Sequence, residues 1–294
     1  MHFIRLLTLT IIGMTGALNV YPQISFGVFA DCQYCDCNTM GSRFYRNSKG
    51  KLDQCIRRFN SDPNLEFVAG LGDLIDRDFE SFNALKPILE ESNYPVYHVT
   101  GNHDLAVDKD KLDKVPQALE LGKTYYSFEK EGWQFVFLDG NEITLNSVNP
   151  EIVAKAKKML SELKNNEQPN AKDWNGGIGS EQISWLQKQL KQAAAKNLNV
   201  VVFCHYPLLP HEAHTLWNQK QVIEILKKYN NVKLWLNGHN HAGNYIQQHG
   251  IHFLTMRAMV ETESQNAFAR ITLNDNTIEV MGYGQEPDRI LTIE

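Results

Sequence analysis

Short apolar runs recur along the chain and alternate with amphipathic stretches. The runs at 24–30, 66–70, 96–100, 134–138, 200–204, 233–236, 252–255, 267–272 and 277–281 have the length and content of strands. Between them, 51–60, 79–90, 151–164, 180–195 and 219–229 read as helices. The last two place Ile183, Leu186 and Leu190, then Val222, Ile223 and Leu226, at helical spacing. Ser180 stands where an N-cap would open the first of these. Strands alternating with helices predict an α/β architecture. The final strands follow one another without helices, which predicts antiparallel pairing there. The stretch 165–179 is rich in Asn and Gly, lacks periodicity and predicts a surface loop.

The strongest apolar run lies at the start. His2 and Arg5 precede an uncharged stretch from Leu6 to Val20 that is too short to span a bilayer comfortably. A basic start followed by a short apolar stretch is the pattern of a secretory signal. Residues 1–20 are therefore expected to be a signal peptide, and 24–294 a single domain with no membrane span. The expected location is periplasmic or secreted, with a cytoplasmic location as the alternative. A length of 294 residues alone suggests about two domains; setting the signal aside leaves one.

A net charge of −5 argues against gripping extended nucleic acid through its phosphates. It leaves small phosphate-bearing substrates open, because bound cations can supply the positive charge. Five cysteines are too few for a disulfide scaffold. Cys32, Cys35 and Cys37 cluster, but no second pair completes a tetrahedral zinc site. Pairing of Cys35 or Cys37 with Cys55 is an open alternative.

The chemistry lies at the strand ends. Five strands run into bursts of metal-type ligands: Asp31 and Gln33; Asp73, with Asp76 three residues on expected to support rather than to bind; Asn102, His103 and Asp104; His205; His239 and His241. Ligands in α/β sheets collect at the carboxyl ends of strands, so five such bursts predict one convergent site. Carboxylate, amide and imidazole donors suit Mn, Fe, Zn or Mg. Two such ions require a bridging ligand, and Asp73, beside Gly72, is the expected bridge. Among the other histidines, His98 reads as a buried, hydrogen-bonded strand residue, and His211 and His214 as near the site in sequence only.

This ordered set resembles the signature of calcineurin-like dimetal phosphoesterases. The resemblance implies a two-sheet β-sandwich flanked by helices (α/β/β/α). It implies that Asp31, Gln33, Asp73 and His241 hold one cation, and that Asp73, Asn102, His205 and His239 hold the other. It further implies that His103 sits by the leaving group, oriented by Asp104. The usual first motif is Asp-x-His, whereas here Gln33 follows Asp31; an amide oxygen is a harder donor that favours manganese. That departure, the string from Gly41 to Ser48 (Gly-Ser-Arg-Phe-Tyr-Arg-Asn-Ser), Trp174–Gly179, Gly238–Gly243 and Glu261–Phe268 together resemble the manganese-dependent ADP-ribose/CDP-alcohol diphosphatases.

The implied function is hydrolysis of the phosphoanhydride of a nucleoside diphosphate derivative by a dimetal-activated hydroxide. The implied partner is a small nucleotide. The second phosphate of such a substrate needs its own contact. Arg43 and Arg46 carry guanidinium forks that match phosphate oxygens, solvated surface charge being the other reading. Tyr45 is placed for base stacking or core packing, Asn47 lies in the same string, and Trp174 is a further candidate for lining the pocket. The alternatives are a phosphomonoesterase or cyclic nucleotide phosphodiesterase of the same fold, and a non-catalytic binding protein built on it.

Overall fold

A computed structural model describes residues 23–293; the proposed signal at 1–20 lies outside the described residues. Two six-stranded sheets face each other. The first takes β1 (Ile24–Phe29), β2 (Leu65–Gly70), β3 (Val96–His98), β10 (Ala267–Leu273), β11 (Thr277–Gly284) and β12 (Arg289–Thr292) in the order β12-β11-β10-β1-β2-β3. The second takes β4 (Tyr126–Lys130), β5 (Trp133–Phe137), β6 (Asn199–Phe203), β7 (Val232–Asn237), β8 (Asn244–Gln248) and β9 (Ile251–Thr255) in the order β4-β5-β6-β7-β9-β8. The helices are α1 (Tyr45–Asn60), α2 (Ser81–Glu90), α3 (Val115–Ala118), α4 (Pro150–Asn165), α5 (Ser180–Ala195) and α6 (Gln219–Leu226).

The core between the sheets is aromatic. Phe137 stacks on Phe203 at 4.3 Å, Phe26 stacks on Phe67 at 4.8 Å, and Phe67 meets Phe135 edge-on at 5.0 Å. Each such pair adds about 0.5–1.5 kcal/mol beyond its buried area. Outside the first sheet, Leu52, Cys55, Ile56 and Phe59 of α1 pack with Phe82, Leu85 and Ile88 of α2. Outside the second, Ile183, Leu186 and Leu190 of α5 pack with Val222, Ile225 and Leu226 of α6. The result is the expected α/β/β/α sandwich. Both sheets are mixed: β1, β2 and β3 run parallel, as do β5, β6, β7 and β9, while β10–β12 and β8 pair antiparallel. The parallel strands bring their carboxyl ends to one rim, where the ligand bursts begin.

Three strands escaped the hydrophobic pattern: β4, β8 and β12. All are edge strands, held by backbone hydrogen bonds to one neighbour and carrying polar side chains. Helix α1 starts at Tyr45, six residues before the expected start, through a polar segment without apolar periodicity. Ser180 is not an N-cap: Gly179 holds that position, and its N–H donates to Glu142 Oε2 at 2.8 Å.

His98 is buried at the end of β3, as the alternation of that strand indicated. Burial pushes its pKa down from 6.5 to about 4. As pH falls, the unfolded chain takes up this proton first, so stability is lost between about pH 6.5 and pH 4. The loss should reach about 3 kcal/mol. Urea midpoints at pH 7 and pH 4.5 should therefore differ more in the native chain than in His98→Leu. An equal difference in both would remove His98 from the acid sensitivity.

Candidate active site

The site is built where strands end in strained backbone. Asp31, Gln33, Asp73, Arg77 and His239 all have left-handed φ, at 51°, 44°, 52°, 65° and 68°. Non-glycine residues seldom adopt it, at a cost of order 1 kcal/mol each, and such residues cluster at functional sites. Here they turn each chain back on itself so that its side chain enters the rim. The turns are laced together: Gln33 N–H donates to Asp73 O at 2.8 Å, and Asp31 N–H to Gly72 O at 3.2 Å. Gly101 must be glycine, because a Cβ there would lie 2.0 Å from Asp73 Oδ1.

Asp73 is the centre of the cluster. Its Oδ1 accepts the His103 backbone N–H at 2.7 Å. Its Oδ2 lies 3.1 Å from Gln33 Nε2 and 3.3 Å from His205 Nε2, between the two halves of the site. On one side, Gln33 Nε2 is 3.2 Å from His241 Nε2, and Asp31 Oδ1 is 3.9 Å from the same nitrogen. On the other, His205 Nε2 lies 3.2 Å from Asn102 Oδ1 and 3.1 Å from His239 Nδ1. Ligand atoms of Asp73, His205 and His239 fall within 4.8 Å of one another. All seven residues expected as ligands thus converge.

Each histidine is held through its other nitrogen, which fixes which nitrogen faces inward. His205 Nδ1 donates to Leu71 O at 2.8 Å. His239 Nε2 meets Asn175 Oδ1 at 2.9 Å, and His241 Nδ1 meets Glu261 Oε1 at 2.6 Å. The Glu261 segment is in turn tied to α1 by buried Lys51, whose Nζ donates to the carbonyls of Met259, Glu261 and Thr262. Asn175, Glu261 and Lys51 went unassigned in the sequence, although Asn175 and Glu261 lie within the strings that carried the resemblance.

The electrostatics favour a cation. Burial raises the pKa of Asp31, against the pull of His241 and His205. Burial acts likewise on Asp73, but His205, His103 and His239 outweigh it and hold this carboxyl well below the usual range. His205 is pushed up to about 9, its burial overcome by Asp73, whereas burial and the His205 charge drive His239 well down. Gln33 Oε1 is buried without a hydrogen-bond partner, while the same amide's nitrogen faces Asp73 and His241. An orphaned amide oxygen beside two buried carboxylates and inward imidazoles is the donor set a hard divalent cation needs.

The structure changes one role. Asp104 does not orient the His103 ring. Its carboxylate accepts the backbone N–H groups of Gly101 and Asp73, both at 2.9 Å, of Leu74 at 2.8 Å and of Ile75 at 3.1 Å. It fixes the Asp73 loop, and burial with the Asp73 charge pushes its pKa up to about 7. Asp76 Oδ1 is the group that meets His103 Nδ1.

A cavity of about 660 Å³ opens over the cluster. Gln33, Asp73, Asn102, His103, His239 and His241 form its floor, with Arg43, Arg77, Trp174 and His214 among its walls. Arg43 is thus where a substrate contact would need it. Its three companions are elsewhere. Arg46 pairs with Asp36 at 2.5 Å and with Asn38 at 3.0 Å. Asn47 Nδ2 donates to Glu263 O at 2.8 Å, and Tyr45 is buried against Cys35, Ala258 and Val260. One turn of α1 points these side chains in different directions, which the contiguous string concealed. His214 reaches the cavity, whereas His211 joins Gln168 and Gln219 in a separate pocket. Arg77 had no sequence signal, because its placement depends on a backbone turn at a non-glycine residue.

A buried carboxylate–imidazole–amide cluster at the shared rim of a two-sheet sandwich defines the class of a metal-dependent hydrolase. The calcineurin-like phosphoesterase model matches residues 24–243, and the chain belongs to this family. It is 34% identical to a manganese-dependent ADP-ribose/CDP-alcohol diphosphatase of Arabidopsis thaliana, over 89% of this chain and 94% of that protein. It is 30% identical to one of Oryza sativa subsp. japonica, over 96% of this chain and 98% of that protein. Its fold matches a dimetal phosphatase from Danio rerio with a TM-score of 0.82 at 23% identity, covering 92% of this chain and 99% of that one.

Proposed function

We propose that the chain is a divalent-metal diphosphatase, with manganese as the preferred ion, that cleaves the phosphoanhydride of nucleoside diphosphate derivatives of the ADP-ribose and CDP-alcohol type. The observation that carries this reading is the placement of Asp73 Oδ2 between two ligand groups on the floor of a cavity whose walls carry two arginines. The names of the relatives support the substrate class. Asp31, Gln33, Asp73 and His241 would hold one cation, and Asp73, Asn102, His205 and His239 the other. When bound, the ions supply a water of lowered pKa and neutralise charge on the phosphoryl oxygens.

The chain's own residues do the rest. His103 Nδ1 is engaged by Asp76, which leaves Nε2 to hold a proton for the leaving oxygen. Asp104 locks the backbone that carries Asp73 and, through it, His103. Arg43 and Arg77 take the phosphate that is not attacked, and the half-exposed Trp174 on the rim offers an indole face to the base. A guanidinium–phosphate contact contributes about 1.5–3 kcal/mol. Arg77→Ala should therefore raise KM about 10–100-fold for a diphosphate substrate, with kcat much less affected. An unchanged KM would take Arg77 out of the binding site.

A panel of ADP-ribose, CDP-choline, a 2′,3′-cyclic nucleotide and p-nitrophenyl phosphate under Mn²⁺, Mg²⁺ and Zn²⁺ tests the reading. The two diphosphates should be turned over fastest, and with Mn²⁺. Turnover of the monoester or the cyclic nucleotide alone would establish a rival phosphoesterase activity. We also propose export, supported by the basic and apolar pattern of residues 1–20; finding the full-length chain in the cytoplasm would refute it.

A further inference from the structure

Beside the active site lies a second group of metal-type donors. The backbone after β1 is zipped to the segment after β2: Tyr34 N–H donates to Leu74 O at 3.1 Å, and Asp76 N–H to Tyr34 O at 2.9 Å. This brings Asp76 against Cys35 and Cys37, so that both sulfurs and a carboxylate oxygen lie within 4.8 Å of one another. Cys35 is buried with Tyr45, Ala258 and Val260, while Cys37 and Asp76 are half-buried. The two cysteines are joined as a disulfide in the structure, with their Cα atoms 5.3 Å apart. Cys32, Cys55 and Cys204 are buried and free, so the bridge to Cys55 that the sequence left open does not occur. The sequence holds no second cysteine pair to complete a cysteine metal site; the fold supplies a carboxylate instead.

Asp76 faces two ways, with one carboxylate shared between the cysteine pair and His103. We propose that Cys35, Cys37 and Asp76, once the disulfide is reduced, form a third cation site, selective for soft divalent ions such as zinc or cadmium, and that filling it draws Asp76 from His103 and slows turnover. Two thiolates with one carboxylate suit a soft ion, whereas the oxygen- and nitrogen-rich active site suits harder ones. The exchange balances. A dithiol reductant gives two electrons and two protons to the sulfurs and closes to its own cyclic disulfide. The cation then displaces both thiol protons to solvent. A disulfide sulfur is neutral and is no longer a thiolate ligand, so oxidation closes the site. The binding half stands without the diphosphatase reading; the rate half rests on it.

The test uses the full manganese-loaded chain, reduced with dithiothreitol and desalted under anaerobic conditions, then titrated with Cd²⁺. The reduced chain should show sulfur-to-cadmium charge-transfer absorption saturating at one equivalent, and should retain one more cadmium than the oxidised chain. Cys35→Ser/Cys37→Ser should lack both. Cys37→Ser, altering only the half-buried cysteine, should lose the band even if the double variant folds poorly. One equivalent of Cd²⁺ should slow ADP-ribose turnover by the reduced chain about 10-fold, but not turnover by Cys37→Ser. An absent band, or the same band in Cys37→Ser, would overturn the site. Equal slowing of both would overturn its link to His103. Failure of the unreduced chain to hydrolyse ADP-ribose would instead count against the diphosphatase reading and leave the cadmium result standing.

Discussion

Asp73→Asn should abolish turnover and strip the site of cations while leaving the sandwich folded. Asp73 Oδ2 lies within reach of Gln33 on one side and His205 on the other, so a single carboxylate serves both halves. Its Oδ1 holds the His103 backbone N–H, a contact the amide oxygen of Asn can preserve. The substitution therefore removes charge with little change of shape. The buried carboxyl is held ionised by His205, His103 and His239 against its own burial, so the charge lost is one the site is organised around. Several kcal/mol of charge stabilisation depend on bound cations, which corresponds to a fall of about 10³-fold or more. Metal content per chain should drop in parallel with activity. Near-native turnover in Asp73→Asn would mean that the cluster is not the reacting centre.

His103→Ala should lower kcat about 10²–10⁴-fold and leave the cations bound. The ring makes no contact that the metal set needs, and the backbone N–H that supports Asp73 survives the change. Burial opposes the charged ring, but the carboxylates of Asp73 and Asp76 outweigh it and raise its pKa. The protonated ring is the acid, so its contribution is full below that raised pKa and activity falls as pH rises through it. Asp76→Asn removes one raising charge and should move this alkaline limb to lower pH. A purely structural role for Asp76 would lower activity at every pH without moving the limb. Unchanged kcat in His103→Ala would assign the leaving-group proton elsewhere.

What the sequence made legible follows from what repeats locally. Buried parallel strands such as β6 and β7 are built on short apolar runs, Val200–Phe203 and Leu234–Leu236, so they and the ligand bursts at their ends could be read directly. Edge strands β4, β8 and β12 are mostly polar and send only a few side chains, such as Tyr126, Phe128 and Leu291, into the core, too few to form an apolar run. The seven metal-type residues were visible because each follows a strand, but their companions were not. Glu261 reaches His241 from 20 residues away in sequence, and Asp76 rather than Asp104 reaches His103 because the turn after β2 passes beside that ring. Residues 43–47 illustrate the limit in the other direction. A contiguous string reads as one binding segment, yet it spans a helix start, and only Arg43 faces the cavity. Arg77 depends on a left-handed φ of 65° that no residue pattern announced.

The most direct measurement follows ADP-ribose and the purified chain with Mn²⁺ by phosphorus NMR. Cleavage of the anhydride should convert the two diphosphate resonances into those of two phosphomonoesters, AMP and ribose 5-phosphate, in equal amounts, and Asp73→Asn should leave the substrate intact. Release of inorganic phosphate from a monoester, with the diphosphate resonances of ADP-ribose unchanged, would contradict a diphosphatase site.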